Sequence, residues 1–193
     1  MRLGAATPSL PAGSDFICRN RPGQDIIDHS VHLVITNMSS NDHRVRCALD
    51  SDREQWDELW RGYLRFYQSS LSAEVTDLLW QRIHDPADEI QCRVAAASDG
   101  NLLGLVHFFP HAHTWYANPV CYLNDLFVRP QIRGGGIGAG LIEAVVVEAR
   151  LQGWAEVYWH TQQDNKVARG LYDKVTGGTD GFVNYTIDLA DRT

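Results

Sequence analysis

A cluster of glycines lies where a long apolar helical pattern begins. Five of the seven residues from Gly134 to Gly140 are glycine, and the segment "LIEAVVVEA" follows at once. Glycine within a helix is less stable than alanine by roughly 0.5–1 kcal/mol per residue, so a simple connecting turn explains five of them poorly. A strand that enters a helix through a glycine-rich turn brings backbone N–H groups and the helix dipole to an anion. The sequence therefore predicts an anion-binding helix N-terminus.

Two familiar nucleotide-binding loops fit this cluster poorly. The P-loop requires a lysine after its last glycine, but Leu141 follows Gly140. The dinucleotide-binding fingerprint is met only in a relaxed form, by Gly134, Gly136 and Ala139, and the following pattern "WAEVYWHT" does not end in the acidic residue that would bind a ribose. A third pattern, Arg-x-x-Gly-x-Gly opening directly into an apolar helix, matches at Arg133, Gly136 and Gly138.

The composition argues against several classes of function. A length of 193 residues with 44% hydrophobic side chains suits one domain with a sizeable core. The net charge is −7 and no basic stripe is present, which argues against nucleic-acid binding. The sequence shows no membrane helix and no signal peptide, and its four cysteines form no CxxC pair. We therefore expect a cytoplasmic protein without a metal. The acidic excess fits a small cationic substrate, and solubility explains it equally well.

The N-terminal part differs from the rest of the chain. Residues 1–40 are rich in proline and glycine and show no sustained period, so we expect a loosely ordered extension followed by one folded domain over residues 41–193. Residues 26–36 could add a strand. Met38 could serve as an internal start, so the segment that precedes it is expected to be dispensable for folding.

Downstream of the extension the hydrophobic pattern becomes regular. "RVRCAL" predicts a strand, "SDRE" at residues 51–54 predicts a capping box, and a second helix is expected from Ser72. Asp99 and Gly100 predict the turn of a hairpin. "VCYLNDLFV" predicts a strand, the helix after the glycines is expected to end at Gly153, and "AEVYWHT", "NKVARGLYDKV" and "FVNYTIDL" predict strand, helix and strand. The order β-α-α-β-β-β-α-β-α-β predicts an α/β fold of the α+β type, in which helices flank a mixed sheet.

Two segments carry a resemblance to a known family. "LNDLFVRPQIRGGGIGAGLI" and "VYWHTQQDNKVARGLYDKV" resemble the GNAT superfamily of acetyl-CoA-dependent N-acetyltransferases, and the resemblance covers about residues 44–189. Within that superfamily the motifs are most similar to the branch of the fungal histone-and-polyamine acetyltransferases. The resemblance implies a mostly antiparallel, splayed sheet and transfer of an acetyl group from acetyl-CoA to a primary amine.

The resemblance also implies a set of cofactor contacts. The pyrophosphate of acetyl-CoA is expected on the backbone N–H groups at the start of the long helix, and the pantetheine arm along the end of the preceding strand. Asn165 matches a cofactor-contacting asparagine, and Tyr172 matches a tyrosine near the sulfur. The expected cofactor-binding residues are therefore Leu126, Phe127, Val128, Arg133, Gly134, Gly135, Gly136, Ile137, Gly138, Ala139, Asn165 and Tyr172.

Acetyl transfer to an amine requires a proton acceptor and a proton donor. Tyr172 is the expected acid for the departing thiolate, and packing on its helix face is the alternative role. The base is open, because Asn124 stands where polyamine acetyltransferases of this kind carry a glutamate. Asp125 points to the opposite face in a regular strand, so it acts only if a bulge redirects it and is otherwise a structural hydrogen-bond partner. The amine could also arrive neutral, or ordered water could relay its proton.

Histidines of the hairpin and residues of the first two helices have further expected roles. The histidines of "HFFPHAH" are expected to be solvated hairpin residues and no metal site, because no acidic or cysteine ligand lies at matching spacing. Tyr63, Tyr67 or Glu74 could touch the amine, since the resemblance places an acceptor wall on the first two helices. The alternatives to a small-amine N-acetyltransferase are a protein lysine or N-terminal acetyltransferase, and a catalytically silent acyl-CoA-binding sensor. A homodimer is expected from the exposed last strand and the aromatic helices.

Overall fold

The computed structural model describes residues 43–189, so the expected extension lies outside the described residues. The described chain divides into two compact units, one up to Trp159 and one from His160 onward. Their helices and strands are, in chain order, β1 His43–Cys47, α1 Arg53–Phe66, α2 Ala73–His84, β2 Gln91–Ala97, β3 Leu102–His111, β4 Val120–Val128, α3 Ile137–Gln152, β5 Val157–Tyr158 and α4 Lys166–Thr176.

The first unit is built on a five-stranded sheet. Its strand order is β1-β2-β3-β4-β5, with antiparallel neighbours from β1 to β4 and a parallel β4–β5 pair. The α/β class and the mixed, mostly antiparallel sheet predicted from the sequence are therefore confirmed. Within residues 43–189, no helix combines the length and the apolar character needed to cross a membrane.

Helices pack on both faces of this sheet because successive strand residues point to opposite sides. On one face α1 buries Trp56, Leu59 and Trp60. On the other, Arg93 of β2 forms an ion pair of 2.9 Å with Glu148 of α3, and both side chains are almost completely buried. The core on the α1 face comprises Trp56, Leu59, Trp60, Ile83, Cys92, Val94, Ala96, Leu102, Leu105 and Phe127.

A β-bulge interrupts the pairing of β3 with β4. His107 lies opposite Asp125 and Phe108 lies opposite Leu123, so Asn124 is an extra residue with no partner in the ladder. A bulge reverses the alternation of the residues that follow it. Asp125 consequently points to the same face as α1. The sequence left open whether Asp125 lies in a regular strand or is redirected by a bulge, and the structure contains the bulge.

Two helix starts can be compared with the sequence patterns. The predicted start of α2 near Ser72 is confirmed, and the Ser72 hydroxyl caps this helix by accepting a hydrogen bond from the Val75 N–H at 3.4 Å. The capping box at residues 51–54 is wrong. A short 3₁₀ turn, Asp50–Asp52, precedes α1, and the Asp52 carboxylate accepts from the Leu49 N–H at 2.8 Å and pairs with Arg46. The Asp52 carboxylate, rather than the Ser51 hydroxyl, makes the contacts at this helix start because charge-assisted hydrogen bonds are stronger.

The last predicted strand is not formed. Residues 182–189 adopt no regular secondary structure, and the apolar side chains in this segment are exposed. Alternation of apolar and polar residues gives strand propensity, but a strand also requires a partner edge, and this segment has no ladder in the described chain. β5 is likewise shorter than "AEVYWHT" predicts, since only Val157 and Tyr158 pair with β4.

Gly104 of β3 offers a test of the packing between β3 and β4. A Cβ added at Gly104 would lie 2.6 Å from the Phe127 carbonyl oxygen, which is backbone and cannot rotate away. We expect Gly104→Ala to lower the free energy of unfolding by about 1–3 kcal/mol, as overpacking does. Gly170→Ala is the matched control, because a Cβ there meets nothing within 4 Å and alanine favours a helix by about 1 kcal/mol. Urea titrations followed by circular dichroism measure both, and equal stability of Gly104→Ala and wild type would contradict the packing.

Candidate active site

The start of α3 leaves backbone donors without acceptors. Gly134 and Gly136 adopt φ values of +89° and +82°, which explains the glycines at these positions. The first helical hydrogen bond runs from the Gly140 N–H to the Gly136 carbonyl at 2.9 Å. The N–H groups of Ile137, Gly138 and Ala139 therefore precede the ladder, and none has a backbone acceptor in the described chain.

The space above this turn is open. A Cβ placed on Gly134 or Gly136 would meet nothing within 4 Å, while the Ile137 side chain is buried and anchors the helix. Unpaired N–H groups at the positive end of a helix dipole attract anions. The turn formed by Gly134, Gly135 and Gly136 thus fits a pyrophosphate group.

Arg133 fastens the turn to the end of β4. Its Nε donates to the Val128 carbonyl at 3.1 Å, and its guanidinium lies 5.7 Å from the Phe66 ring and 5.8 Å from the Phe127 ring. Such cation–π contacts hold an arginine without a carboxylate partner. Arg133 therefore orders the approach to the glycine turn.

The end of β4 is an open edge. Only Cys121 and Tyr122 of β4 pair with β5, so the strand from Leu123 onward has no neighbour on that side within the described residues. The Arg129 N–H bonds to Leu103 of β3 at 3.0 Å. Because N–H directions alternate along a strand, those of Leu126 and Val128 face the open edge. Phe127 is buried, and Leu126 and Val128 are half-buried.

Asp125 is a buried carboxylate that accepts hydrogen bonds from three elements. Its Oδ2 lies 3.1 Å from His107 Nδ1 of β3 and 2.9 Å from Asn124 Nδ2 of β4, and the phenol of Tyr63 in α1 also donates to it. Burial raises the pKa of Asp125, but the hydrogen bonds from His107, Tyr63 and Asn124 lower it by more, so the net shift is downward. Asp125 is thus ionised at neutral pH. It accepts hydrogen bonds but is a weak base.

His107 is buried, which corrects the expectation that it is a solvated hairpin residue. The Trp56 indole N–H donates to His107 Nε2 at 3.0 Å. Asp125 favours a proton on the facing Nδ1 of His107. A doubly protonated ring would also point an Nε2–H at the Trp56 N–H, so the observed bonds require the neutral ring with its proton on Nδ1. His107 therefore donates to Asp125 and holds it in place.

Four tyrosines, which we call the phenol cluster, form two ring pairs, and Tyr63 of one pair donates to this carboxylate. Tyr63 and Tyr67 of α1 have ring centroids 4.9 Å apart, and Tyr122 of β4 and Tyr158 of β5 have centroids 5.1 Å apart. Burial, Tyr158, Asp125 and Tyr67 together raise the pKa of Tyr122. Burial and Asp125 raise the pKa of Tyr63 far above its usual value, so it remains a donor.

The sequence pointed to Tyr63 and Tyr67 but missed other members of this site. Tyr122, Tyr158 and His107 lie in strands whose patterns indicated only a sheet, and their proximity depends on strand order. Glu74 lies exposed in the first turn of α2. Among residues 43–189 no group of three histidine, cysteine or acidic side chains is placed to hold a metal ion.

Asn165 and Tyr172 belong to the second unit. The Asn165 side chain caps α4, accepting from the Ala168 N–H at 3.3 Å and donating to Thr161 Oγ1 at 3.2 Å. Tyr172 is half-buried on α4. Their expected roles beside the cofactor stay predictions.

Comparison with known proteins gives concordant results. The model of the acetyltransferase (GNAT) family matches residues 54–177. The D-amino-acid N-acetyltransferase HPA3 of Saccharomyces cerevisiae is 34% identical over 142 residues, which is 72% of this chain and 88% of the relative. The aminoglycoside N(6')-acetyltransferase type 1 of Klebsiella aerogenes is 31% identical over 135 residues, 66% of this chain and 84% of the relative.

Solved structures share the fold. A probable acetyltransferase superimposes with a TM-score of 0.68 at 23% identity, covering 77% of this chain and 99% of that one. AAC(6')-Iy in complex with the bisubstrate analogue CoA-S-monomethyl-acetylneamine superimposes with a TM-score of 0.66 at 19% identity, covering 76% and 97%. Fold, glycine turn and family match agree, and this chain belongs to the GNAT family of acetyltransferases, which use acetyl-CoA as co-substrate.

Proposed function

We propose that this chain transfers the acetyl group of acetyl-CoA to the primary amine of a small cationic acceptor. The observation that carries the proposal is the ionised Asp125, which accepts a hydrogen bond from Tyr63 of the phenol cluster. Aromatic faces and a buried carboxylate attract an ammonium group and offer nothing to an anionic one. The relatives include a D-amino-acid N-acetyltransferase and an aminoglycoside N-acetyltransferase, and these names support an amine acceptor without fixing its class.

The cofactor contacts expected from the sequence remain our proposal for acetyl-CoA. The open turn and its three N–H groups support binding of the pyrophosphate, and the free edge from Leu126 to Val128 supports an extended pantetheine arm. The Val128 N–H faces that edge and could stabilise an oxyanion. We also propose a cytoplasmic homodimer, which the exposed apolar side chains of residues 182–189 support.

The chemistry requires a neutral amine. An alkylamine of pKa about 10.4 is neutral on the order of one part in a thousand at pH 7. When bound, acetyl-CoA supplies a thioester whose carbonyl carbon accepts the amine. This chain's residues then have to orient the amine and provide a proton for the departing sulfur, and we propose Tyr172 as that donor.

An acceptor panel tests the proposed substrate class. Thiol release from acetyl-CoA is measured with pairs of compounds that differ by one carboxylate, such as an amine and the corresponding D- or L-amino acid, and with peptide N-termini and lysines. We expect higher kcat/KM for the amine of each pair. Preference for the amino acids or for peptides would overturn the cationic-amine proposal, and binding of acetyl-CoA without turnover of any amine would favour the sensor.

Gly136→Glu tests the pyrophosphate site. The new carboxylate would stand beside the unpaired N–H groups and repel the phosphates, so acetyl-CoA should no longer raise the melting temperature. Gly153→Glu is the matched control, because Gly153 has a φ of +69° at the other end of α3 and also has open space around it. Both variants carry similar backbone strain, and only Gly136→Glu should lose acetyl-CoA binding. Equal acetyl-CoA affinities of the two variants would move the phosphate site elsewhere.

Tyr172→Phe tests the proposed proton donor. The change removes one hydroxyl and keeps the ring, so a lost general acid should lower kcat by about 10²–10⁴-fold with little change in acetyl-CoA affinity. Tyr185→Phe is the matched control in the same unit, because the Tyr185 side chain is 90% exposed. Wild-type kcat in Tyr172→Phe, measured beside the melting temperature, would remove Tyr172 from the mechanism.

A further inference from the structure

The hydrogen bond between Asn124 and Asp125 fixes the direction of the Asn124 amide. Asn124 is the exposed bulge residue of β4, and its amide lies 2.9 Å from Asp125 Oδ2. An ionised carboxylate can only accept hydrogen bonds, so the NH₂ group of Asn124 must face it. Oδ1 of Asn124 then points away from Asp125 and accepts no hydrogen bond from the described chain.

Asp125 cannot turn away to release this amide. The neutral His107 donates to it from β3, and Trp56, which is fully buried, holds His107 from behind. Tyr63 donates to the same carboxylate from α1. A chain of hydrogen bonds therefore runs from Trp56 in the core through His107 and Asp125 to the exposed Asn124 amide.

We propose that Asn124 Oδ1 is the acceptor for an N–H of the substrate amine, and that solvent rather than a side chain removes the ammonium proton. Asn124 is then a substrate-binding residue, and Asp125 and His107 are positioning residues that act through it. This inference rests on the proposed acetyl transfer. In that transfer the ammonium loses one proton to water, the neutral nitrogen forms a bond to the acetyl carbon, and the carbon–sulfur bond breaks. The second nitrogen proton passes to solvent as the amide forms, and the departing thiolate takes a proton from the proposed acid Tyr172, which solvent then reprotonates.

The groups near Asn124 support a site without a side-chain base. Asparagine has no basic lone pair of useful pKa, Asp125 is held ionised by donors that occupy it, and His107 offers no free nitrogen because Trp56 and Asp125 take both. Burial raises the pKa values of Tyr63, Tyr122 and Tyr158, so these phenols are donors at neutral pH. In residues 43–159 the ionisable groups that interact with Asp125, His107 or the phenol cluster also include Cys92, Cys121, Glu156 and His111. His111 offers no free nitrogen either, because its Nε2 lies 2.9 Å from the Tyr158 hydroxyl and its Nδ1 lies 2.9 Å from the Ala112 carbonyl oxygen.

The wild-type pH profile is the first test. If solvent removes the proton, kcat/KM depends on the neutral amine, so it should rise about tenfold per pH unit below the pKa of the amine. In a series of amines of decreasing pKa, the upper inflection should move with the amine. An inflection that stays at one pH for every amine would reveal an enzyme base and overturn the inference.

Asn124→Glu is the second test, because it installs the missing base. The new carboxyl stands beside Asp125, and a like charge raises its pKa toward neutrality. We expect kcat/KM at pH 7 to rise by about ten- to a hundredfold, with a flatter profile and no gain near the pKa of the amine. The matched control is Asn101→Glu in the β2–β3 turn, where Asn101 also donates to a neighbouring carboxylate, Asp99, at 2.7 Å. That control should keep the wild-type profile.

Asn124→Ala separates binding from chemistry. Loss of a hydrogen bond to a charged group should raise KM for the amine by about tenfold or more, with acetyl-CoA affinity unchanged. An unchanged KM in Asn124→Ala, or an Asn124→Glu profile parallel to that of wild type, overturns the inference while acetyl transfer by the wild type stands. Absence of acetylation of any amine by the wild type overturns the proposed function itself, so the two failures are distinguishable.

Discussion

The buried carboxylate of Asp125 is the interaction on which the organisation of the sheet and α1 depends. A charge inside a protein is costly unless donors surround it, and Asp125 collects them from α1, β3 and β4. The bulge at Asn124 is what turns this carboxylate toward α1, so a regular β4 would leave Tyr63 and His107 without their acceptor. Trp56 joins the same network to the centre of the core. The geometry of the site is thus held by the packing that stabilises the fold.

The proposed acetyl-CoA site depends on backbone groups that the fold leaves unpaired. The start of α3 exposes N–H groups and the end of β4 exposes an edge, and both are features that a purely structural element would cover. Close packing of α1 against the end of β4 stabilises the structure beside these unpaired groups. A Cβ at Gly62 of α1 would lie 2.7 Å from the Phe127 ring, so glycine lets α1 approach the end of β4 closely. The Phe127 ring in turn contacts the Arg133 guanidinium, and this contact holds the glycine turn beside the end of β4.

Local patterns predicted the parts of the fold whose causes are local. The helical period predicted α1 and α3, and Gly153 predicted the end of α3. An apolar helix face and a terminating glycine each depend on only a few neighbouring residues. The buried role of His107 and the bulge at Asn124 could not be predicted, since both depend on which strand lies beside which. The alternation of apolar and polar residues in 182–189 indicates a strand propensity. It carries no information about whether a partner strand is available.

In the proposed reaction, β4 separates two sites of opposite electrostatic character. At Asn124 and Asp125 the strand presents an amide oxygen and a carboxylate, which suit a cation, while beyond Val128 the chain presents N–H groups and a helix dipole, which suit an anion. Four residues of strand span roughly 13 Å, and the open edge between them is apolar except for its backbone. An ammonium acceptor and a phosphorylated donor are therefore drawn to different ends of one strand. The rigid spacing of β4 then brings the amine and the thioester together without either ligand competing for the other's site.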